Sequence, residues 1–194
     1  MKVSAYPVAH AIAHRPSIRT GRRYMGKTAA ALRLAISARI GPRRVVFLRR
    51  HLRAAHAMIR PALRDLSVAV LDAPAMRDLH RRFLGLPGVT DVLSFELAHD
   101  SRGRVTTGEI AICFPVARLQ ARHRRLPLDH ELLLYALHGL LHLCGFDDRT
   151  PSASRIMHAK EDQLLIRLGI GPVFGSPPAG ESRPKHGAGR CPST

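Results

Sequence analysis

Two histidines four residues apart, His138 and His142, followed by Gly145 and Asp148, are the residues of this 194-residue chain whose types and spacing argue for specific chemistry. Residues four apart on a helix share a face, so the two imidazoles can be offered to one point. Gly145 permits the left-handed turn by which a chain leaves a helix, and such a turn can bring Asp148 back toward the same point. Two imidazoles and a carboxylate suit a zinc ion, one per chain, that keeps one position open for water. Such a site makes hydroxide available near neutral pH and polarises the bond under attack. The carboxylate adds negative charge, which raises the pKa of the bound water and makes manganese more competitive. A histidine pair on a leucine-rich helix is also a common satisfied core feature, and Gly145 with Asp148 at this spacing separates the two readings.

The pattern HxxxHxxGxxD has metzincin-like ligand spacing, but zinc proteases of that kind carry a Glu directly after the first histidine as general base. Here that position is Gly139. A glycine cannot take a proton from water, so a peptidase reading loses its main chemical support. Charge points to another substrate class. Lys and Arg total 31 against 14 Asp and Glu, a net charge of +17, which favours a polyanionic partner. No acidic residue precedes Asp65, so fourteen cations from Arg15 to Arg64 stand unbalanced, the surface that counterion release rewards on nucleic acid. An arginine-rich composition that merely fills surface positions is the plainer alternative.

The elements that must position these residues can be read coarsely. The apolar fraction of 45% is that of a globular chain. No run of eighteen apolar residues exists to span a membrane, and no secretory signal is expected. The cysteines, Cys113, Cys144 and Cys191, are odd in number and widely spaced, as in a reducing cytoplasm. A basic extension over residues 1–41, which also resembles an organelle transit peptide, is expected to be helical over 22–40. A strand over 45–48, a helix over 49–60 halted by Pro61, a strand over 66–71 and a helix over 75–84 with Met76, Leu79 and Phe83 on one face follow. Strands over 92–96 and 109–114 flank the loop at 99–103. The longest helix runs over 130–143 with Asp129 as N-cap and Gly145 as terminator, and a last helix over 152–168 ends at Gly169. The domain is read as 42–170 and the Gly/Pro-rich tail, 171–194, as disordered. The fold class is α+β, a small mixed sheet packed with helices.

The segment His138-Gly139-Leu140-Leu141-His142-Leu143-Cys144-Gly145-Phe146-Asp147-Asp148 resembles the signature HGxLHLxGYDH of the YbeY family of metal-dependent endoribonucleases, departing only at Phe146 and Asp148. Thr90-Asp91-Val92-Leu93-Ser94-Phe95 is similar to the family's TDVLSF strand. Gly108-Glu109-Ile110-Ala111-Ile112-Cys113 is similar to its GDIxIC strand. Met157, Glu161, Leu165 and Gly169 fit its closing helix. The resemblance covers residues 66–169 and, read more widely, 45–169. It implies His138, His142 and Asp148 as metal ligands, Asp148 standing where the family has a third histidine. It also implies an arginine in a motif like NxxYR. That position is Leu84 here, with His80 at the Asn position, and Arg82 is the candidate replacement, in competition with Arg81. Such a cation would neutralise charge developing on phosphorus.

The implied function is hydrolysis of single-stranded RNA by metal-activated water, with ribosomal RNA and ribosomal particles as partners and the cytoplasm as location, in rRNA maturation and ribosome quality control. Two alternatives stand beside it. One is a zinc peptidase that finds its base at Glu131 or Asp147. The other is a non-catalytic RNA-binding ribosome-assembly factor whose structural metal is closed by Cys144 as a fourth ligand. Among the other polar residues, Thr90 and Asp91 are read as strand caps rather than ligand-orienting groups. Asp147 is read as a partner of a ligand imidazole or of the helix exit. His123, His130 and His158 are read as surface residues.

Overall fold

The computed structural model describes residues 32–174. Strands β1 (Arg33–Ala38), β2 (Asp65–Leu71), β3 (Val92–His99) and β4 (Val105–Cys113) form one sheet in the order β1-β2-β4-β3. The first two pairings are parallel and β3 runs antiparallel to β4. The helices are α1 (Pro42–Ile59), α2 (Ala73–Leu84), α3 (Phe114–Arg124), α4 (Leu128–Leu143) and α5 (Pro151–Arg167). This is the mixed sheet with helices, an α+β single domain, that the sequence leads one to expect. No helix among the described residues is long and apolar enough to cross a membrane.

Strand alternation sends side chains to two layers. Val92, Ile110 and Ile112 join Leu48, Leu52, Leu137, Leu140 and Leu141 in the larger core, beneath α1, α4 and α5. Leu93, Phe95, Ala111 and Cys113 face the other way and meet Met76 of α2. Helix α4 lies inside the molecule. Every residue from Glu131 to Leu143 is buried, the expected state of a helix that is apolar nearly all round.

Four local expectations are corrected. The stretch expected to be helical over 22–40 is, in its described part, the edge strand β1, whose Leu34, Ile36 and Ala38 alternate inward and pair with β2. Parallel pairing outweighs the helix propensity of an Ala/Leu/Arg segment, and the sheet therefore begins inside the stretch read as an extension. Residues 22–31 and the tail beyond Phe174 lie outside the described residues. No strand forms over 45–48, because α1 starts at Pro42 and buries Leu48, Leu52 and Ala55 at helical spacing. That helix ends with Arg60 in the left-handed conformation, φ 54°. Asp129 does not cap α4, which starts at Leu128 after Pro127. Its carboxylate accepts from Arg44 Nε at 2.7 Å and ties α4 to α1. On α2 the expected apolar face holds at Met76, while Phe83 is 37% exposed and meets Phe95 edge-on at 4.9 Å.

Candidate metal centre

Helix α4 puts His138 and His142 one turn apart on one side, with ring centroids 4.6 Å apart and planes at 78°. Their Nε2 atoms face each other at 3.0 Å. Each ring is held from behind. His138 Nδ1 donates to Glu161 Oε1 of α5 at 2.7 Å, and His142 Nδ1 donates to the Phe146 carbonyl at 3.0 Å. With both Nδ1 protons so used, the neutral rings turn bare Nε2 lone pairs toward one another. Two lone pairs at this separation repel unless a cation or a proton lies between them. Two nitrogens on a tetrahedral zinc ion, with bonds of about 2.0–2.1 Å, stand roughly 3.3 Å apart, so the pair fits a shared ion.

The helix exit delivers the third donor. The Gly145 N–H donates to the His142 carbonyl at 2.9 Å and the Phe146 N–H reaches back to the Leu141 carbonyl at 3.0 Å. Gly145 takes φ +89°, the left-handed region that glycine occupies without a Cβ penalty. Asp147 Oδ1 accepts from the Asp148 and Arg149 N–H groups at 2.9 and 3.2 Å, and its carboxylate pairs with the Arg149 guanidinium. Asp147 thus clasps the turn, the second of its two expected roles. Asp148 then stands with Oδ2 at 3.8 Å from His138 Nε2 and Oδ1 at 3.8 Å from His142 Nε2. His138, His142 and Asp148 form a group of donors within 4.8 Å of one another, and Cys144 is not part of it. Burial pushes the Cys144 thiol up to about 12.

The surroundings carry surplus negative charge. Burial disfavours the imidazolium of His138, but the hydrogen bond and charge of Glu161, together with Asp148 and Asp91, outweigh it and hold His138 above the ordinary histidine range. Burial raises Asp91, against the Val92 N–H and the Thr90 hydroxyl that both donate to its Oδ1. Asp91 does clasp the start of β3, as its reading as a cap requires, and it also lines the pocket at the centre. That pocket is bounded by Asp91, His138, Asp148, His158, Glu161 and Phe174.

Sequence reasoning missed two contributors. Glu161 was visible only as a matching position in the last helix, although a carboxylate amid Met157, Leu164 and Leu165 on a buried face was itself a signal. His158, read as a surface residue, instead lines the pocket and stacks on Phe174 with centroids at 4.1 Å and planes at 8°. His130 is half-buried and stacks on Phe47 at 6.0 Å, whereas His123 is exposed. Arg82 is exposed on α2 with its guanidinium 5.8 Å from the Phe83 ring centre, and it is not among the pocket-lining residues. Arg81 pairs with Asp78 at 3.3 Å.

The chain is 41% identical over 116 residues to "Endoribonuclease YbeY" of Mycolicibacterium smegmatis, covering 55% of this chain and 65% of that one. It is 37% identical over 117 residues to the protein of the same name from Corynebacterium kroppenstedtii, covering 55% and 57%. The chain thus spans less than two thirds of the length of these relatives. The solution structure of TM1509 from Thermotoga maritima shares the fold, at a TM-score of 0.50 and 22% identity, over 77% of this chain and all of that one. The family model described as "Endoribonuclease YbeY" matches residues 46–169, well over half of the sequence, a span that includes His138, His142 and Asp148. The chain belongs to the YbeY family.

Proposed function

We propose that the chain is a metal-dependent endoribonuclease that hydrolyses phosphodiesters in single-stranded RNA, acting in the cytoplasm in ribosomal RNA maturation and ribosome quality control. The observation that carries this reading is the convergence of His138, His142 and Asp148 on one point, with the back of each imidazole already hydrogen-bonded. Support comes from the net charge of +17 and from relatives that bear the name "Endoribonuclease YbeY".

The three donors would hold one divalent ion, zinc by their chemistry. When bound, such an ion acidifies a water and offsets negative charge on a phosphoryl oxygen. The protein's own contribution is orientation. Glu161 fixes the tautomer and direction of His138, and the Phe146 carbonyl does so for His142. Leu134 and Phe174 give the pocket an apolar wall that limits water. We assign to Arg82, exposed on α2, a contact with the strand outside the pocket.

The peptidase alternative is disfavoured by packing. A Cβ on Gly139 would lie 2.9 Å from both Ile110 Cγ2 and Ser94 Oγ, so a glutamate there has no room beside the sheet. The other two candidate bases are committed elsewhere, Glu131 to Arg124 at 3.1 Å and Asp147 to the turn. A structural zinc would need a fourth protein ligand, and Cys144 is outside the donor group.

The test combines elemental analysis of purified protein with an RNA-cleavage assay. His142→Ala and Asp148→Ala should each lose metal and cleavage while retaining the wild-type circular dichroism spectrum, and Asp148→His should regain both. Full-rate cleavage by a metal-free variant would refute the reading, and unchanged metal content in Asp148→Ala would remove Asp148 from the site.

A further inference from the structure

Helix α1 is basic in an ordered way. Its eighteen residues include no Asp or Glu. One side buries Leu48, Leu52 and Ala55. The opposite side exposes Arg43, Val46, Arg50, Arg53 and Ala57 and runs on to Arg60 at the helix C-cap. These positions recur at three- and four-residue steps, so they form one stripe along about 27 Å of helix. Elsewhere in the molecule, arginines of several elements meet a carboxylate: Arg33 with Asp65, Arg81 with Asp78, Arg104 with Asp100 and Arg149 with Asp147. Even on α1, inward-leaning Arg44 has Asp129. None of the stripe arginines has an acidic partner among the described residues.

Arg60 adds a second observation. It adopts φ 54° and ψ 50° at the helix C-cap, a conformation that glycine takes without strain and that a β-carbon penalises. The chain thus holds an arginine where glycine would end the helix better. Arg60 lines a cavity of about 390 Å³ together with Arg104, Glu96, Cys144 and Gly145. Glu96 is engaged by His99 Nε2 at 2.9 Å. Cys144 and Gly145 begin the turn that carries the chain to Asp148. The stripe therefore ends beside the back of the metal-bearing turn.

We propose that the exposed face of α1, from Arg43 through Arg50 and Arg53 to Arg60, is a docking track for the phosphodiester backbone of RNA outside the metal pocket. The inference rests on the endoribonuclease reading for the identity of the strand, and charge complementarity supplies the recognition. The track contributes affinity for long RNA and nothing to the chemistry of the bond that is cut. Base identity is not read, because guanidinium–phosphate contacts carry no sequence information.

The test uses the full chain, a fluorescein-labelled single-stranded RNA, and EDTA to prevent cleavage during titration. The triple variant R43Q/R50Q/R53Q should bind more weakly and lower the slope of log Kd against log salt by about 2, near 0.7 per lost phosphate contact. Arg60→Gly should raise the melting midpoint by about 2–4 °C, as relief of left-handed strain would, and should also weaken RNA binding. A triple variant with the wild-type salt slope, or an Arg60→Gly protein that is more stable and binds RNA undiminished, would overturn the track. With metal restored, a dinucleotide substrate should be cut by the triple variant at the wild-type rate while KM for the long strand rises. If the wild type cuts no RNA yet the slopes differ as stated, the nuclease reading falls and the track stands. If cleavage is present and the slopes are equal, the reverse holds.

Discussion

At the scale of single residues, the candidate centre depends on groups beyond its three converging donors. Glu161 is fully buried and accepts the Nδ1 proton of His138 at 2.7 Å. Glu161→Gln keeps a hydrogen-bond acceptor but removes the charge. We expect metal affinity to fall about 10–100-fold, the usual cost of losing such a partner, with the fold intact. Competition against a chromogenic chelator measures it, and equal affinity would deny Glu161 this tuning role. The convergence of the three candidate donors was legible in the sequence because a helix and its exit turn bring them together within eleven residues, His138 to Asp148. Glu161 was not, because its contact with His138 spans 23 residues and depends on how α5 packs against α4. Asp91 is farther still in sequence, and only the antiparallel placement of β3 beside β4 carries it to the pocket.

At the scale of elements, α4 is held at a distance from the sheet that only glycine allows. Ile110 Cγ2 and Ser94 Oγ would each lie 2.9 Å from a Cβ on Gly139. Gly139→Ala should therefore destabilise the domain by about 1–3 kcal/mol through overpacking, read from urea unfolding, and should lower metal content by displacing His138. Wild-type values for both would mean that the sheet yields freely there. The β3–β4 hairpin offers a separate check. Asp100 is held at about 2, first by the Arg104 N–H and then by the Arg104 side chain, with the Arg102 N–H assisting. A carboxylate depressed on folding stabilises above its unfolded value, about 3.9, and loses that contribution as pH falls toward 2. The stability difference between wild type and Asp100→Asn should thus be present at pH 5, shrink as pH falls through about 2 and vanish only below it, and a difference independent of pH would contradict the assignment. Element types followed from periodicity where the pattern was long, as in α4. They failed at β1, whose strand character arises from pairing with residues more than thirty positions later, and at the start of α1, where a short Val-Val-Phe run belongs to an eighteen-residue helix.

At the scale of the whole molecule, the sheet edge decides how far the chain can be shortened. Removing residues 1–31 leaves β1 in place, and the protein should remain folded, with a flatter salt dependence of RNA binding if the basic residues before β1 contribute contacts. Removing residues 1–41 deletes β1 as well and uncovers the β2 edge, where Ser67 and Val68 pair with Ala35 and Ile36. An unpaired parallel strand invites association between chains, so this version should sediment as aggregates while the shorter deletion stays monodisperse. Equal behaviour of the two would show that β1 is dispensable.

Helix α4 gives these scales a common consequence. It is the segment that the sheet, α1, α3 and α5 all pack against, and it also carries both imidazoles. An imidazole pair built into the hub of a domain cannot loosen on its own, because the rotation that would separate His138 from His142 unpacks the leucines beside them. An ion held by this pair would therefore be thermodynamically linked to cooperative folding. In a cell short of the ion, the protein would keep its fold at a lower melting midpoint, so scarcity would show first as a thinner margin of stability.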